Sequence, residues 1–311
     1  MLTKPRHLQA GDTLALISPA SPPPNDSDFE RIRRWVVAQG LRVKEFPHTR
    51  DRWGYFAGAD VDRAADLTAA FADPEVNGIL VTRGGSGGWR MVPHIDFDVV
   101  RANPKFFCGY SDITAPHLAL AKEAGLLTFY GPAAMSFATR KLSAYSQRHF
   151  LRAATIPEPL GEVEKDPDDP FTWAIHGGVA EGPLLGGCLS LLVAAVGTRW
   201  APDWRGAIVF FEDVHEDPHR IDNYLTQLRL AGHFDELAGV VVGEHADCRP
   251  KLPGSFTLED VYRQHFSDLG IPVMVGLPCG HGTHIATLPL GVHARLNADE
   301  LTLELLEAGT S

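Results

Sequence analysis

Four segments of this 311-residue chain combine residue types and spacings that could make and break an acyl bond. In Phe106-Phe107-Cys108-Gly109-Tyr110-Ser111-Asp112 an apolar run ends in a glycine and a serine and leads straight into a helical pattern. That is the strand-turn-helix setting that lifts a nucleophilic serine out of a sheet. Gly109 permits close packing behind Ser111, and the amide of Asp112 falls at a helix N-terminus, where a developing oxyanion is favoured. The pattern is G-x-S-x-I, without the second glycine of the usual elbow, and Ser111 or Asp112 equally suits a helix cap.

The second segment is Arg83-Gly84-Gly85-Ser86-Gly87-Gly88, at the end of an expected strand. It fits neither the phosphate-binding G-x-x-x-x-G-K-[ST] loop nor the dinucleotide G-x-G-x-x-G turn. Its exposed amides could supply a second oxyanion donor and let a substrate approach the main chain. The third is an apolar strand ending in Glu212-Asp213-Val214-His215-Glu216-Asp217. Strand alternation sends Glu212 and Asp213 to opposite faces, so at most one of them points into a site with its neighbours. In the fourth, Gly280-His281-Gly282-Thr283-His284, glycines flank a histidine and leave it uncovered, as a general base requires. His281, His284 and His293 also raise zinc, but no helical H-E-x-x-H pair is present. His117, six residues after Ser111, projects to another face and suits packing. Ser111, Glu212 and His281 together provide a nucleophile, a carboxylate to orient an imidazole, and the imidazole that takes the serine proton.

These residues need a scaffold, and the apolar patterning supplies one. Strand runs at 13–18, 41–46, 78–82, 106–110 and 126–130 alternate with helical runs at 28–39, 60–72 and 113–124, the grammar of a layered α/β sheet. From 154 to 173 the composition turns to Pro, Asp, Glu and Lys without periodicity, which suits a connection. The expected organisation is an N-terminal α/β domain over 1–153, a linker over 154–178 and a mixed α/β domain over 179–311. The second domain has strands near 207–211, 237–243 and 301–306 and helices near 219–231 and 258–269.

The formal charge of −11, from 28 Lys+Arg and 39 Asp+Glu, disfavours polyanionic partners, so neither nucleic acid nor a membrane surface is expected. A small peptide or other small molecule fits better. Four scattered cysteines show neither a zinc ribbon nor a disulfide framework, which suits a reducing compartment. The N-terminal apolar run is interrupted by Asp12, unlike a signal peptide, and the longest apolar stretch, Leu184 to Thr198, is shorter than the roughly 20 residues of a membrane helix. A cytoplasmic location is the expectation.

The chain resembles the LD-carboxypeptidases, the serine peptidases that include muramoyltetrapeptide carboxypeptidase and the microcin C self-immunity peptidases. The resemblance runs through L-Q-A-G-D-T-L-A-L-I-S-P-A-S from Leu8, Y-F-A-G from Tyr55, D-R-A-A-D-L from Asp62, R-G-G-S-G from Arg83 and G-Y-S-D-I-T from Gly109. It continues through Y-G-P from Tyr130, G-G-C-L-S from Gly186, F-F-E-D-V-H-E from Phe210, I-D-N-Y-L-T-Q-L from Ile221, and G-H-G and L-P-L-G after Gly280. It implies a nucleophile at Ser111, a carboxylate at Glu212, a base at His281, and oxyanion amides at Asp112 and near Gly85. It further implies a flavodoxin-like or amidotransferase-like N-terminal layered sheet, a C-terminal domain containing a small β-barrel, and a homodimer with its catalytic site between the domains. Hydrolysis would be independent of metals and other cofactors, and would cut the bond between an L-centre and terminal D-alanine in muropeptides during cell-wall recycling. A carboxypeptidase must read a free carboxylate, which makes Arg83 a candidate cation. Ser86 stands where the family commonly has an aromatic residue, Cys188 where it commonly has Asn, and His219 where it commonly has Tyr. These departures bear on which peptide is held: alternatives are a serine amidase acting on peptidyl nucleotide analogues and a silent ligand-binding homologue.

Overall fold

In the computed structural model the first strand, β1 (Thr13–Ile17), is buried along its whole length, as a parallel strand covered on both faces should be. The structure describes residues 2–139, 143–166, 168 and 172–311. α1 (Asp26–Ala38) starts from a capping box between Asn25 and Asp28 and returns the chain to β2 (Arg42–Glu45). The alternation continues through α2 (Asp60–Ala72), β3 (Gly78–Val81), α3 (Gly88–Met91), α4 (Phe97–Ala102) and β4 (Phe106–Gly109). It closes with α5 (Thr114–Ala119), β5 (Thr128–Tyr130), α6 (Ala134–Thr139) and α7 (Ala144–Thr155). The helix expected over 113–124 is composite: a 3₁₀ turn at Ser111–Ile113 precedes α5 and a wide turn at Leu120–Ala124 follows it.

Strands β1 to β5 pair in parallel in the order β2-β1-β3-β4-β5, the flavodoxin-like order. In such a sheet the winding reverses between β1 and β3, and ligands bind outside the carboxyl ends of the strands near that point. The segments that leave these ends are 18–24 after β1, 82–87 after β3 and 110–112 after β4.

The remaining strands are β6 (Gly161–Glu162), β7 (Trp173–His176), β8 (Val179–Cys188), β9 (Ile208–Val214), β10 (Gly239–Ala246), β11 (Val273–Gly280), β12 (Leu288–Leu290), β13 (His293–Asn297) and β14 (Thr302–Leu305). Helices α8 (Leu189–Ala195), α9 (Pro218–Leu230) and α10 (Leu258–Phe266) accompany them. Eight strands form a mixed sheet in the order β6-β14-β13-β8-β9-β10-β11-β7, while β12 extends the first sheet beside β5. The chain thus makes two compact units. One is Met1–Glu158 with Thr287–Pro289 and Gly309–Ser311, and the other is Pro159–Ala286 with Leu290–Ala308.

Two features of the second unit differ from the sequence reading. The expected small β-barrel is an open sheet: among the described residues β6 pairs only with β14 and β7 only with β11, as the two edges of the strand order. At two residues β6 has no length with which to close a further ladder. The stretch 154–178, expected as a connection, contributes both edge strands, whose two to four residues are too short to show periodicity between prolines and acids. Among the described residues no helix is long and apolar enough to cross a membrane.

Candidate functional site

The elbow after β4 is shaped by steric demand. A Cβ on Gly109 would lie 2.4 Å from Val81 Cγ2, so only glycine lets β4 pack against β3 here. Two residues later Ser111 takes a φ of +65°. A side-chain-bearing residue held in this left-handed region stores about 1–3 kcal/mol of strain, a cost typical of functional turns. The Ser111 amide donates to Tyr130 Oη at 3.0 Å. Beneath it, buried His117 contacts the Gly109 carbonyl through Nε2 at 2.9 Å and Thr128 Oγ1 through Nδ1 at 2.8 Å. The carbonyl can only accept, so Nε2 carries a proton.

Burial pushes the His117 imidazole down to about 4. The unfolded ring, near 6.5, binds a proton that the folded ring refuses, so this residue's contribution to stability is lost as pH falls from about 6.5 toward 4. Unfolding of His117→Gln, followed by denaturant at each pH, is accordingly less sensitive to acid in that window than unfolding of the parent protein. Equal pH dependence in the two proteins would contradict this packing role.

The glycine turn after β3 lies against the elbow. A Cβ on Gly84 would meet Ser111 Cβ at 2.9 Å and Oγ at 3.2 Å. Gly85 and Gly87 have φ of +114° and +117°, values L-residues rarely adopt. Three groups hold the turn. The Ser21 amide donates to the Gly84 carbonyl at 3.2 Å, and Ser21 Oγ accepts the Ser86 amide at 3.2 Å. The Asp112 carboxylate accepts the Gly88 amide at 2.7 Å. Arg63, fully buried on α2, donates to the Pro19 carbonyl at 2.6 Å and the Gly87 carbonyl at 3.0 Å, and pairs with Asp60. Burial pushes the Asp112 carboxyl up to about 6, against the opposing pull of the Gly88 bond and the Arg63 charge. At the turn's edge Arg83 is half-buried and Ser86 exposed, and Arg83 makes no ion pair with any described residue.

In the second unit Glu212 sits on β9 with no exposed surface, and its Oε2 lies 2.7 Å from His281 Nδ1. Gly280 clears the space for this contact, and two further glycines let neighbouring side chains close in around it. A Cβ on Gly280 would fall 2.1 Å from Glu212 Oε2, one on Gly282 1.4 Å from Glu244 Oε2, and one on Gly243 2.5 Å from Cys279 Sγ. Register shifts in β10 between Val242 and His245 bring Gly280 level with Glu244; such irregularities often re-aim side chains beside sites. A carboxylate on Nδ1 holds the imidazole in the tautomer whose lone pair is on Nε2, the arrangement a general base needs.

Asp213, on the other face of β9, accepts the Ser190 and Val214 amides at 2.8 Å and so caps α8. Cys188 is buried just before that helix, and burial raises its thiol well above the usual range. His219 pairs with Asp217 at 2.8 Å, at the start of α9. His284 contacts Asp168 at 2.8 Å, and His293 lies 3.4 Å from Glu181. Among the described residues no group of three or more His, Cys, Asp or Glu side chains is gathered to hold a metal ion.

Ser111, Asp112, Arg83, Gly85 and Ser86 therefore leave the carboxyl ends of neighbouring strands in the first unit, and Glu212 and His281 are hydrogen-bonded in the second. Sequence reasoning missed Ser21 and Arg63. Arg63 did carry a signal, because it shares the buried face of α2 with Ala64, Leu67, Ala70 and Phe71, and a cation on an apolar helix face needs a polar partner inside.

Family models for the LD-carboxypeptidase N-terminal and C-terminal domains match residues 14–131 and 181–296. A Bacillus subtilis protein named "Probable murein peptide carboxypeptidase" is 36% identical over 312 residues, covering 99% of this chain and 95% of that protein. The solved muramoyltetrapeptide carboxypeptidase from Oxalobacter formigenes superposes with a TM-score of 0.82 at 32% identity, over 94% of this chain and 97% of that one. The MccF-like protein from Bacillus anthracis str. Ames superposes with a TM-score of 0.85 at 29% identity, over 97% and 99%.

Proposed function

Because the chain belongs to the LD-carboxypeptidase family, we propose that it is a serine carboxypeptidase. Its substrate would be a muropeptide tetrapeptide, cut between meso-diaminopimelate or lysine and the terminal D-alanine. The observation that carries this reading is the 2.7 Å contact between His281 Nδ1 and buried Glu212, which prepares an imidazole to accept a proton at Nε2. In this reaction His281 takes the Ser111 proton as the oxygen attacks the scissile carbonyl. The amides of Gly85 and Asp112 stabilise the oxyanion. The imidazolium returns the proton to the departing amine, D-alanine leaves, and water, deprotonated by the same imidazole, hydrolyses the acyl-enzyme.

Arg83 reads the terminal carboxylate. Arg83 is half-buried, without an ion pair to any described residue, at the edge of the turn that packs on Ser111. Arg83→Ala raises KM for the tetrapeptide by about 10- to 100-fold and changes kcat far less, because a charge-assisted bond of about 1.5–3 kcal/mol made to ground state and transition state alike is lost. An unchanged KM removes Arg83 from this role.

The reading extends to a homodimer that acts in the cytoplasm on fragments from cell-wall recycling. Light scattering of the purified protein checks the oligomer, and fractionation checks the location. The activity is tested by incubation with L-Ala-γ-D-Glu-meso-diaminopimelate-D-Ala and detection of free D-alanine and tripeptide by mass. Release by the parent protein and not by Ser111→Ala establishes bond and nucleophile together. An inert tetrapeptide with intact fluorophosphonate labelling of Ser111 moves the substrate to peptidyl nucleotide analogues, a reading supported by the likeness to MccF, whose structure is solved in complex with aspartyl sulfamoyl adenosine. Absence of both leaves a binding protein.

A further inference from the structure

We propose that Ser21 is a positioning residue that fixes the peptides on both sides of Gly85, by its amide on the Gly84 carbonyl and its hydroxyl on the Ser86 amide, and so sets the direction of the oxyanion amide of Gly85; the inference rests on the serine-hydrolase reading above. A peptide between two glycines meets little steric resistance to rotation as a unit. Rotated one way it presents an N–H to a developing oxyanion, and rotated the other way a carbonyl that repels it. Something outside the turn must choose.

Ser21 brackets Gly85 on both sides. Its amide donates to the Gly84 carbonyl at 3.2 Å, and its Oγ accepts the Ser86 amide at 3.2 Å. In a planar trans peptide the carbonyl and N–H point in opposite directions, so fixing the Gly84 oxygen on Ser21 turns the Gly85 N–H away from Ser21. Gly84 itself packs on Ser111, where an added Cβ would lie 2.9 Å from Ser111 Cβ. The closeness of the bracket explains why position 85 is glycine, since a Cβ there would fall 2.3 Å from Ser21 Oγ.

The serine is itself well anchored. Its hydroxyl proton goes to the Tyr55 carbonyl at 2.6 Å, which leaves a lone pair for Ser86. Pro22, Pro23 and Pro24 follow it directly, restricting the backbone beyond, and Arg52 donates to the Pro23 carbonyl at 2.7 Å. Ser21 touches no reacting atom in this scheme and acts only through the turn.

The test is Ser21→Ala in the full chain, which keeps the amide bond to the Gly84 carbonyl but frees the Gly85–Ser86 peptide, so that Gly85 is held from one side only and its N–H is no longer fixed in direction. The first readout is the rate of Ser111 phosphonylation by a fluorophosphonate, whose phosphoryl oxygen takes the oxyanion position whatever the natural substrate. The second is kcat and KM on the tetrapeptide. Removing one oxyanion donor outright costs about 10²–10³-fold in rate, so a misdirected donor is expected to slow labelling and kcat by about 10- to 100-fold, with KM within about two-fold and the melting temperature little changed. Parent-like labelling and kcat would overturn the inference. So would a rise in KM without loss of kcat, which is the mark of a substrate wall, or a parallel loss in both with a lowered melting temperature, which is the mark of general loosening. If Ser111 of the parent protein is not labelled, the serine-hydrolase reading falls and this inference with it; if it is labelled and Ser21→Ala behaves like it, only this inference falls.

Discussion

Ser111→Ala folds as the parent protein does and loses turnover of the tetrapeptide by on the order of 10⁴-fold or more, because deletion of a nucleophile removes the covalent path and leaves only binding and oxyanion stabilisation. Fluorophosphonate labelling disappears with it. Near-normal turnover would place the nucleophile elsewhere. The elbow supplies a second, function-independent check. Ser111 is held at a φ of +65°, and glycine adopts that conformation without steric strain. Ser111→Gly is therefore expected to be more stable to denaturant than Ser111→Ala by about 1 kcal/mol. Equal stability of the two variants would mean that the elbow stores no strain at this position.

Glu212→Gln lowers kcat by about 10³- to 10⁴-fold with a modest change in KM, less than the serine change. The amide keeps the shape of the carboxylate but no longer stabilises the imidazolium, and it can hold His281 in the wrong tautomer. Glu212 has no exposed surface and its Oε2 lies 2.7 Å from Nδ1, so solvent cannot substitute for the lost charge. The steady-state pair kcat and KM is the measurement. A fully active Glu212→Gln protein shifts the supporting carboxylate elsewhere on the β9 segment, to Asp213 or Glu216. Asp213→Asn affects mainly stability, since that carboxylate accepts the Ser190 and Val214 amides and caps α8; loss of a cap costs about 0.5–2 kcal/mol.

The legible parts of this chain are those set by neighbours a few residues apart. The parallel layering of the first unit followed from apolar runs and their punctuation, and α2 stands over Asp60–Ala72 as its pattern requires. The local settings of the candidate residues were legible for the same reason. Ser111 ends an apolar run before a helix, and glycines on either side announce His281. The split between Glu212 and Asp213 was already implied by a period of two. Which of them meets the histidine was not, because that depends on Gly280, on another strand, leaving room for the Glu212 carboxylate.

What the sequence alone determined, then, is the layered α/β scaffold and the presence of a serine and an imidazole at turns and of a carboxylate near the end of a strand, since periodicity and turn chemistry act over a handful of residues. Only the tertiary structure decided that Glu212 faces His281, that the second sheet stays open with β6 and β7 as its edges, and that Ser21 and Arg63 hold the glycine turn. Each of these depends on contacts between residues far apart along the chain, whose hydrogen bonds and steric clearances exist only once the strands have paired and the helices have packed.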